Sequence, residues 1–319
     1  MTIDNTQRKL QQTDDSALIS DAILSGDTEL LKAVVRNPNL SDADKLTLVN
    51  HGDYFVLVKL SADTSLTETL VLAIIEASKN LYKNQAEEVL YYLASNTTVT
   101  SEQLVLILDT FSSTVIRQKV ICNANLSESD VTKFYNLYPS SFENEVAAHP
   151  NTSPAILADL WKSLIRNDDS VLSASILAKN PNFPVELFRH EFLPTLWEHP
   201  VKPKKSDIIA GIAESPMAPL DLIEDIMTFS NGSEKTKFLA ACNKKVPISM
   251  VIDNAEEGNT ACQLAMSYRI NEVLTHLLQS EQASLVKETP AAWAPRLLNW
   301  EWIELWIWEA ALSKAGIRS

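Results

Sequence analysis

Histidine is the side chain that most often serves as a general base or a metal ligand near neutral pH, and this 319-residue chain contains five. No two of them are three or four residues apart, the spacing that would place a pair of metal ligands on one helix face. We therefore predict no metal site. The five are His51, His149, His190, His199 and His276.

Nucleophilic and phosphate-binding chemistry has little support in the sequence. Cys122, Cys242 and Cys262 are far apart and form no Cys-x-x-Cys pair, so neither a zinc site nor a disulfide framework is predicted. We expect Cys122 and Cys242 to be small, buried packing residues. Neither a Gly-x-Ser-x-Gly elbow nor a Gly-x-x-x-x-Gly-Lys-(Ser/Thr) loop is present. We predict no catalytic residue, no cofactor and no enzymatic activity.

Aromatic residues near the C-terminus are candidates for binding. Residues 285–319 hold five of the seven tryptophans, and a helical face is predicted from Trp302, Ile303, Trp306, Ile307 and Ala310. This segment could cap the end of the core, or it could bind a partner or a second copy, because tryptophan is enriched at binding hot spots. Membrane-surface helices usually carry Lys and Arg, whereas this one carries Glu. The candidate partner-binding residues are Trp300, Trp302, Trp306 and Trp308.

A short basic run is the second binding candidate. Lys202, Lys204 and Lys205 lie at the end of a stretch, 194–205, where Pro194 interrupts the helical pattern. We interpret 194–205 as a hinge or an inserted loop. Its lysines could contact an anionic ligand or could simply be solvated.

The elements that position these residues follow from a turn that recurs at intervals of 26 to 35 residues. Each copy begins with a polar residue, usually Asn, and has Ser, Thr or Pro four residues later in most cases. A small or apolar residue usually precedes the turn by two positions, and apolar residues at helical spacing follow it. The copies begin at Asn37, Asp63, Asn96, Asn123, His149, Asn180, Ser215 and Asn243.

Helix punctuation explains this pattern. We interpret the Asn as a helix-ending residue that tolerates the left-handed conformation, with Pro preventing continuation of the helix. Ser41, Thr67, Thr100 and Ser127 are expected to cap the next helix, and Pro184, Pro219 and Pro247 to occupy its first position. Each unit is thus a helix, a turn, a second helix and a loop, and such units stack on their neighbours.

The pattern Ala-x-Asn-Pro-Asn-x-(Ser/Pro)-x-x-x-Leu resembles the bacterial leucine-rich repeat variant family, which is similar in style to HEAT-like α-solenoids. The resemblance covers about residues 30–250 and is most specific at 35–40, 147–154 and 178–184. It implies a curved stack of short helices used as an interaction surface. The units here are mostly longer than that family's, which favours two full helices per unit. Residues 258–278 resemble a single ankyrin repeat.

The charge restricts the class of partner. The formal net charge is −14, which opposes binding to nucleic-acid phosphates and favours a protein partner, a basic one being the easiest to accommodate. We find neither an apolar run long enough to span a membrane nor a signal-peptide core, and we expect a cytoplasmic protein.

We therefore predict an all-α fold, a right-handed αα-solenoid of about eight to nine helical-pair repeats. Residues 1–15 are predicted to be a disordered lead, 16–284 the array, and 285–319 the Trp-rich capping or association segment. The predicted function is a non-enzymatic scaffold or adaptor for protein–protein interaction. Two alternatives stay open: a HEAT-like enzyme with a site on the concave face, and an acidic mimic of DNA charge.

Overall fold

The computed structural model describes residues 5–166, 172–189, 203–229, 232–289 and 294–317. Within these ranges the chain forms 22 α-helices, one 3₁₀-helix and no strand, which confirms the prediction of an all-α protein. None of these helices is long and apolar enough to cross a bilayer. The contacts divide the chain into two compact units, Met1–Ser153 and Pro154–Ser319, a boundary that lies inside the predicted array.

The helices of the first unit are short and follow one another closely. They are α1 (Asn5–Leu10), α2 (Ser16–Leu24), α3 (Thr28–Val34), α4 (Asp42–Asn50), α5 (Tyr54–Ser61), α6 (Glu68–Ser78), α7 (Lys83–Ala94), α8 (Ser101–Thr110), α9 (Thr114–Ile121), α10 (Glu128–Leu137) and α11 (Glu143–Ala148).

The described part of the second unit adds eleven α-helices and the 3₁₀-helix. They are α12 (Pro154–Arg166), α13 (Ala174–Ala178), η1 (Val185–Arg189), α14 (Pro203–Glu214), α15 (Leu220–Thr228), α16 (Glu234–Cys242), α17 (Ile248–Glu256), α18 (Thr260–Tyr268), α19 (Ile270–Gln279), α20 (Ala283–Glu288), α21 (Ala294–Leu297) and α22 (Leu305–Lys314).

In each unit the helices alternate between two rows. The helices that precede the recurring turns pack one on the next, and we call them the ladder row: α1, α3, α5, α7, α9 and α11 in the first unit, and α13, α14, α16 and α18 in the second. The helices that follow the turns form the second row, in which α2, α4, α6 and α8 are neighbours in the first unit, and α17 and α19 in the second. The apolar core lies between the rows.

The first residues of the chain differ from the predicted disordered lead. Residues 5–10 form α1, and Leu10 is buried at 1% exposure. Asn37 donates through Nδ2 to the carbonyl of Leu10 at 2.7 Å and to that of Thr13 at 2.8 Å. One buried leucine and two hydrogen bonds therefore attach α1 to the ladder row, although its sequence is mostly polar.

Buried side chains connect successive turns of the first unit through hydrogen bonds that we call the ladder. Asn96 donates through Nδ2 to the carbonyls of Ser61 at 3.0 Å and Asp63 at 2.7 Å. Asn123 donates to those of Ala94 at 2.8 Å and Asn96 at 3.0 Å. The acceptors are thus the preceding turn residue and the residue two positions before it. Each Oδ1 accepts from the backbone N–H two residues further on.

The second unit repeats the same geometry. Asn243 donates to the carbonyls of Ala213 at 2.8 Å and Ser215 at 2.9 Å. Arg269 donates through Nη1 to those of Ala241 at 3.0 Å and Asn243 at 3.4 Å. Arg269 therefore occupies a further turn position that the residue pattern did not reveal, because a guanidinium there replaces the amide.

The left-handed interpretation of the turn asparagines is wrong. Among described residues other than glycine, only Ser140 and Asn299 have positive φ. The asparagines are needed for their side chains, because the last turn of a helix leaves carbonyl groups without partners and burying them unpaired is costly. One buried amide supplies two donors to the neighbouring helix and an acceptor to its own turn.

One turn of the first unit uses a charge in place of an amide. Asp63 cannot donate as a carboxylate, and its Oδ2 instead lies 2.7 Å from Nζ of Lys45, which is only 8% exposed. Although burial raises it, hydrogen bonds from Lys45 and Ser65 hold the pKa of Asp63 below its ordinary value. The ion pair thus neutralises the buried ammonium of Lys45 at this turn.

Most helix starts are close to the prediction. Ser41, Thr100 and Ser127 cap their helices through the side-chain oxygen, and Ser41 and Thr100 form full capping boxes. Thr67 is at the N-cap of α6 but accepts no cap hydrogen bond, so that prediction is wrong. Pro219 and Pro247 lie one residue earlier than predicted, at the N-cap position, and Pro184 directly precedes η1. Their fixed φ suits the extended conformation there equally well.

Gly211 permits the closest contact within the ladder row of the second unit. A Cβ atom at this position of α14 would lie 2.7 Å from the carbonyl carbon of Ala174 and 2.8 Å from the backbone nitrogen of Ser175. Both atoms belong to the backbone of α13, so neither can move without displacing that helix. Glycine is required here for packing and not for its backbone conformation.

His149 takes the place of Asn in the last turn of the first unit. Its Nε2 lies 3.0 Å from the carbonyl of Asn123, and its Nδ1 accepts from the backbone N–H of Asn151 at 3.1 Å. Because a carbonyl only accepts, the proton resides on Nε2 and the ring is neutral. Burial lowers the pKa of His149 below its ordinary value of 6.5, despite the opposing hydrogen bond to Asn123.

Removing a ladder amide should destabilise the fold. Asn123→Ala deprives two buried carbonyls of their donor, and we expect a loss of about 2–4 kcal/mol in the free energy of unfolding. Asn123→Asp keeps the shape but directs a carboxylate at the same carbonyls, so its loss should be larger. Urea unfolding followed by circular dichroism measures both. The exposed Asn136→Ala is the control, and equal effects at positions 123 and 136 would contradict a ladder.

Gly211→Ala should destabilise the fold, whereas replacing a glycine inside a helix by alanine usually stabilises it. In an ordinary helix interior it stabilises by up to about 1 kcal/mol. Here we expect a loss of about 1–3 kcal/mol, because α13 and α14 must separate. Gly52→Ala is the comparison, since no atom lies within 4 Å of its Cβ position and only its φ of 69° is unfavourable. Calorimetric melting of both variants tests this, and a raised melting temperature for Gly211→Ala would contradict it.

His149 should make stability dependent on pH in the weakly acidic range. Because its folded pKa lies below the unfolded value, the unfolded chain binds more protons there, and the free energy of unfolding falls as pH drops through about 6.5. His149→Asn should remove this contribution, since an amide does not titrate. Melting temperatures of both proteins from about pH 7.5 to about pH 5.5 measure the difference. Parallel profiles would show that His149 does not contribute.

Candidate functional site

One candidate site is an apolar groove of about 610 Å³ in the second unit. Leu264 and Tyr268 of α18 form one side, and Trp306 and Ile307 of α22 form the other. Trp302, in the turn before α22, lies between them, and the first residues of α19 complete the lining. We call this site the C-terminal groove.

Three large side chains of the groove are exposed to solvent. The exposed fractions are 52% for Leu264, 73% for Tyr268 and 64% for Trp306. Tyr268 makes an edge contact with Phe238, with 5.1 Å between ring centroids. Single exposed apolar residues are normal on a protein surface, whereas several around one concave site mark a binding surface.

Trp302 lines the groove, and two charged residues lie beside it. Its indole Nε1 is buried and has no hydrogen-bond acceptor among the described residues. Lys314 of α22 adds a positive charge to the lining, and the Glu304 carboxylate adds a negative charge. This carboxylate also accepts a hydrogen bond from the indole N–H of Trp306.

Two other tryptophans hold this segment on the core. Trp300 is 1% exposed and donates through Nε1 to Oε1 of Glu256 at 2.9 Å. Trp308 of α22 is fully buried. The positive φ of Asn299 forms the turn that directs Trp300 inward. The groove is therefore built on a well-packed base.

The single helical face predicted for the tryptophans is wrong. Helix α22 begins at Leu305 with Glu304 at its N-cap, so Trp302 and Ile303 lie before it. The buried face of α22 consists of Trp308, Ala311 and Leu312. Of the candidate residues, Trp302 and Trp306 meet in the groove, whereas Trp300 and Trp308 belong to the core.

The basic candidates are only partly covered by the structure. Lys202 lies outside the described residues, as do residues 194–202 of the predicted hinge. Lys204 and Lys205 fall in the first turn of α14. No binding role for these lysines is tested by this placement.

Residues that could perform chemistry are dispersed in the structure. Within the described ranges, no group of three or more His, Cys, Asp or Glu side chains is arranged to hold a metal ion. Burial raises the pKa of Cys262 to about 12, so its thiol is protonated at neutral pH. Contrary to expectation, Cys122 is exposed, and Cys242 is only half-buried.

The sequence analysis missed Leu264 and Tyr268. They are four residues apart on α18, beside the buried face that Ala261, Cys262, Ala265 and Met266 form. The ankyrin-like pattern of this segment includes the buried Ala261 and Ala265 and does not indicate which residues are exposed. The available signal was a second apolar pair at helical spacing, outside the set needed for the core.

Comparison with known proteins provides no family for this chain. No protein-family model, no curated protein and no solved structure matches it. The resemblances to leucine-rich repeat variants and to an ankyrin repeat therefore remain expectations from the residues alone.

Proposed function

We propose that this chain is a non-enzymatic protein-interaction module and that its docking site is the C-terminal groove. The observation that carries the proposal is the exposure of Leu264, Tyr268 and Trp306 around one concave, otherwise well-packed site. Large aromatic side chains at the centre of an interface contribute most of its binding energy. Leaving them exposed is costly for solubility, which favours a binding role.

The ladder supports the finer part of the proposed fold. Because most of the described turns bond to the turn before them within their unit, we propose that the two rows form a right-handed αα-solenoid of about eight to nine repeats. Such arrays present long surfaces built from equivalent positions of successive units. The groove lies where this regular packing ends, at the last helix of the ladder row.

The chemistry of the groove favours a polypeptide partner over a nucleic acid. Its walls are mainly aliphatic and aromatic, and Lys314 is the single cation in its lining. A nucleic-acid site would need several Lys or Arg side chains to neutralise phosphates, and the chain carries a net charge of −14.

Site-specific photo-crosslinking in the native cells tests this function. A photoreactive phenylalanine analogue replaces Trp306 in one variant and the exposed Tyr82 of the first unit in the other. We expect a discrete protein adduct at position 306 alone. Trp306→Ala should weaken the recovered complex at least tenfold, because a central tryptophan contributes about 2 kcal/mol or more.

Stability measurements separate binding from folding. Trp306→Ala should change the free energy of unfolding by less than about 0.5 kcal/mol, because the side chain is mostly exposed. Trp300→Ala should cost about 3–5 kcal/mol, because it empties a buried site. Identical adducts at positions 306 and 82, or none at either, would exclude the groove as the docking site.

A further inference from the structure

The C-terminal groove lies at the end of the ladder row. In the second unit, α14 packs on α13, α16 on α14, and α18 on α16. Of the later helices in the described residues, α20 packs on α19 and α21, and α22 packs on α19, so the place after α18 in the row is vacant. Leu264 lies five residues before the turn at Arg269, as Phe238 lies five before Asn243, and Phe238 contacts Tyr268 of the following ladder helix. Leu264 is thus on the face of α18 that a following ladder helix would cover, and it lines the groove.

The hydrogen-bond pattern identifies the same vacancy. At each turn the acceptors for the following unit are the turn carbonyl and the carbonyl two residues before it, as for Asn243 and Ala241 with Arg269 as the donor. The corresponding carbonyls in the last unit belong to Ser267 and Arg269, of which that of Arg269 already accepts from the backbone N–H groups of Glu272 at 2.8 Å and Val273 at 3.1 Å. Ser267 lies in the groove lining. A donor side chain at the end of an incoming helix would therefore continue the ladder through the carbonyl of Ser267.

The size and polarity of the groove suit a helix. About 610 Å³ accommodates the apolar side chains that a helix of two or three turns places at positions i, i+3 or i+4, and i+7. The exposed ammonium of Lys314 gives the groove lining a positive charge. The last turn of a helix offers free carbonyl oxygens and the negative end of its dipole.

Resting on the function proposed above, we infer that the C-terminal groove binds an amphipathic α-helix of a partner protein, which ends in an Asn, Gln or Arg side chain and takes the vacant place in the ladder row. A second copy of this chain is a poor source of such a helix. Its interior ladder helices are packed on both sides, and α1 exposes Arg8 and Lys9 in place of an apolar face.

A display selection on the full chain tests this inference. The probe is a phage library of random peptides of about 16 residues, long enough for about four helical turns. We expect enriched peptides with apolar residues at helical spacing, followed within one turn by Asn, Gln or Arg. A central proline should abolish their binding, and Asn→Asp at the terminal position should weaken it about fivefold, because it removes the donors.

Matched variants of the protein locate the binding. Trp306→Ala and Leu264→Glu should each lower the affinity of the enriched peptides at least tenfold, and Tyr82→Ala should leave it unchanged. Enriched peptides of extended or Pro-rich pattern that still depend on Trp306 would overturn the helical inference and leave the docking function in place. No dependence on Trp306 would overturn both. Dimers in light scattering that Trp306→Ala abolishes would make the occupant a second copy and also overturn the inference.

Discussion

The structure depends on one electrostatic constraint, the need to pair the carbonyl groups at the ends of many short helices. A helix of six to twelve residues has a large share of its carbonyls in the last turn, where no backbone donor follows. When such ends are packed in a row away from water, each requires a donor from its neighbour. Buried amides at the turns supply these donors, and the same contacts align each helix with the one before it.

The variations of this arrangement follow from the donor inventory. Asn provides two donors and an acceptor, whereas His149 provides one of each only in its neutral form. Asp63 has no donor at all and is accompanied by Lys45. Arg269 reaches further than an amide and also pairs with Glu272 at 2.7 Å. Different side chains therefore satisfy one geometric requirement, which explains why the repeat is hard to recognise by residue identity.

Much of the secondary structure could be predicted from the sequence because turns and apolar spacing are local signals. The recurring turns fall between helices, and the apolar residues that follow a turn at helical spacing are buried in α12, namely Ile156, Leu157, Leu160, Trp161 and Leu164. What the asparagines contact could not be predicted, because their partners lie about 30 residues away and depend on packing. The role of the Arg269 guanidinium at a turn could not be predicted for the same reason.

The candidate site was predictable only in part. Composition singled out the tryptophans, but their division between core and groove depends on where α22 begins. The helix begins at Leu305, three residues after Trp302, with Glu304 at its N-cap. Leu264 and Tyr268 join the groove through tertiary contact alone. A residue pattern indicates that aromatic side chains are available, and only the packing of α18, α19 and α22 decides which of them remain uncovered.

The direction of the ladder has a consequence for synthesis on the ribosome. Along the ladder described here the donor side chain comes later in the chain than its acceptors, by 24 residues for Asn37 and Thr13 and by 37 for Ser215 and Ala178. Each new helix pair therefore meets a completed surface as it emerges and needs nothing still to be translated. The nascent chain can grow within each unit as a folded stack from its first helix, with its unpaired carbonyls always at the newest end.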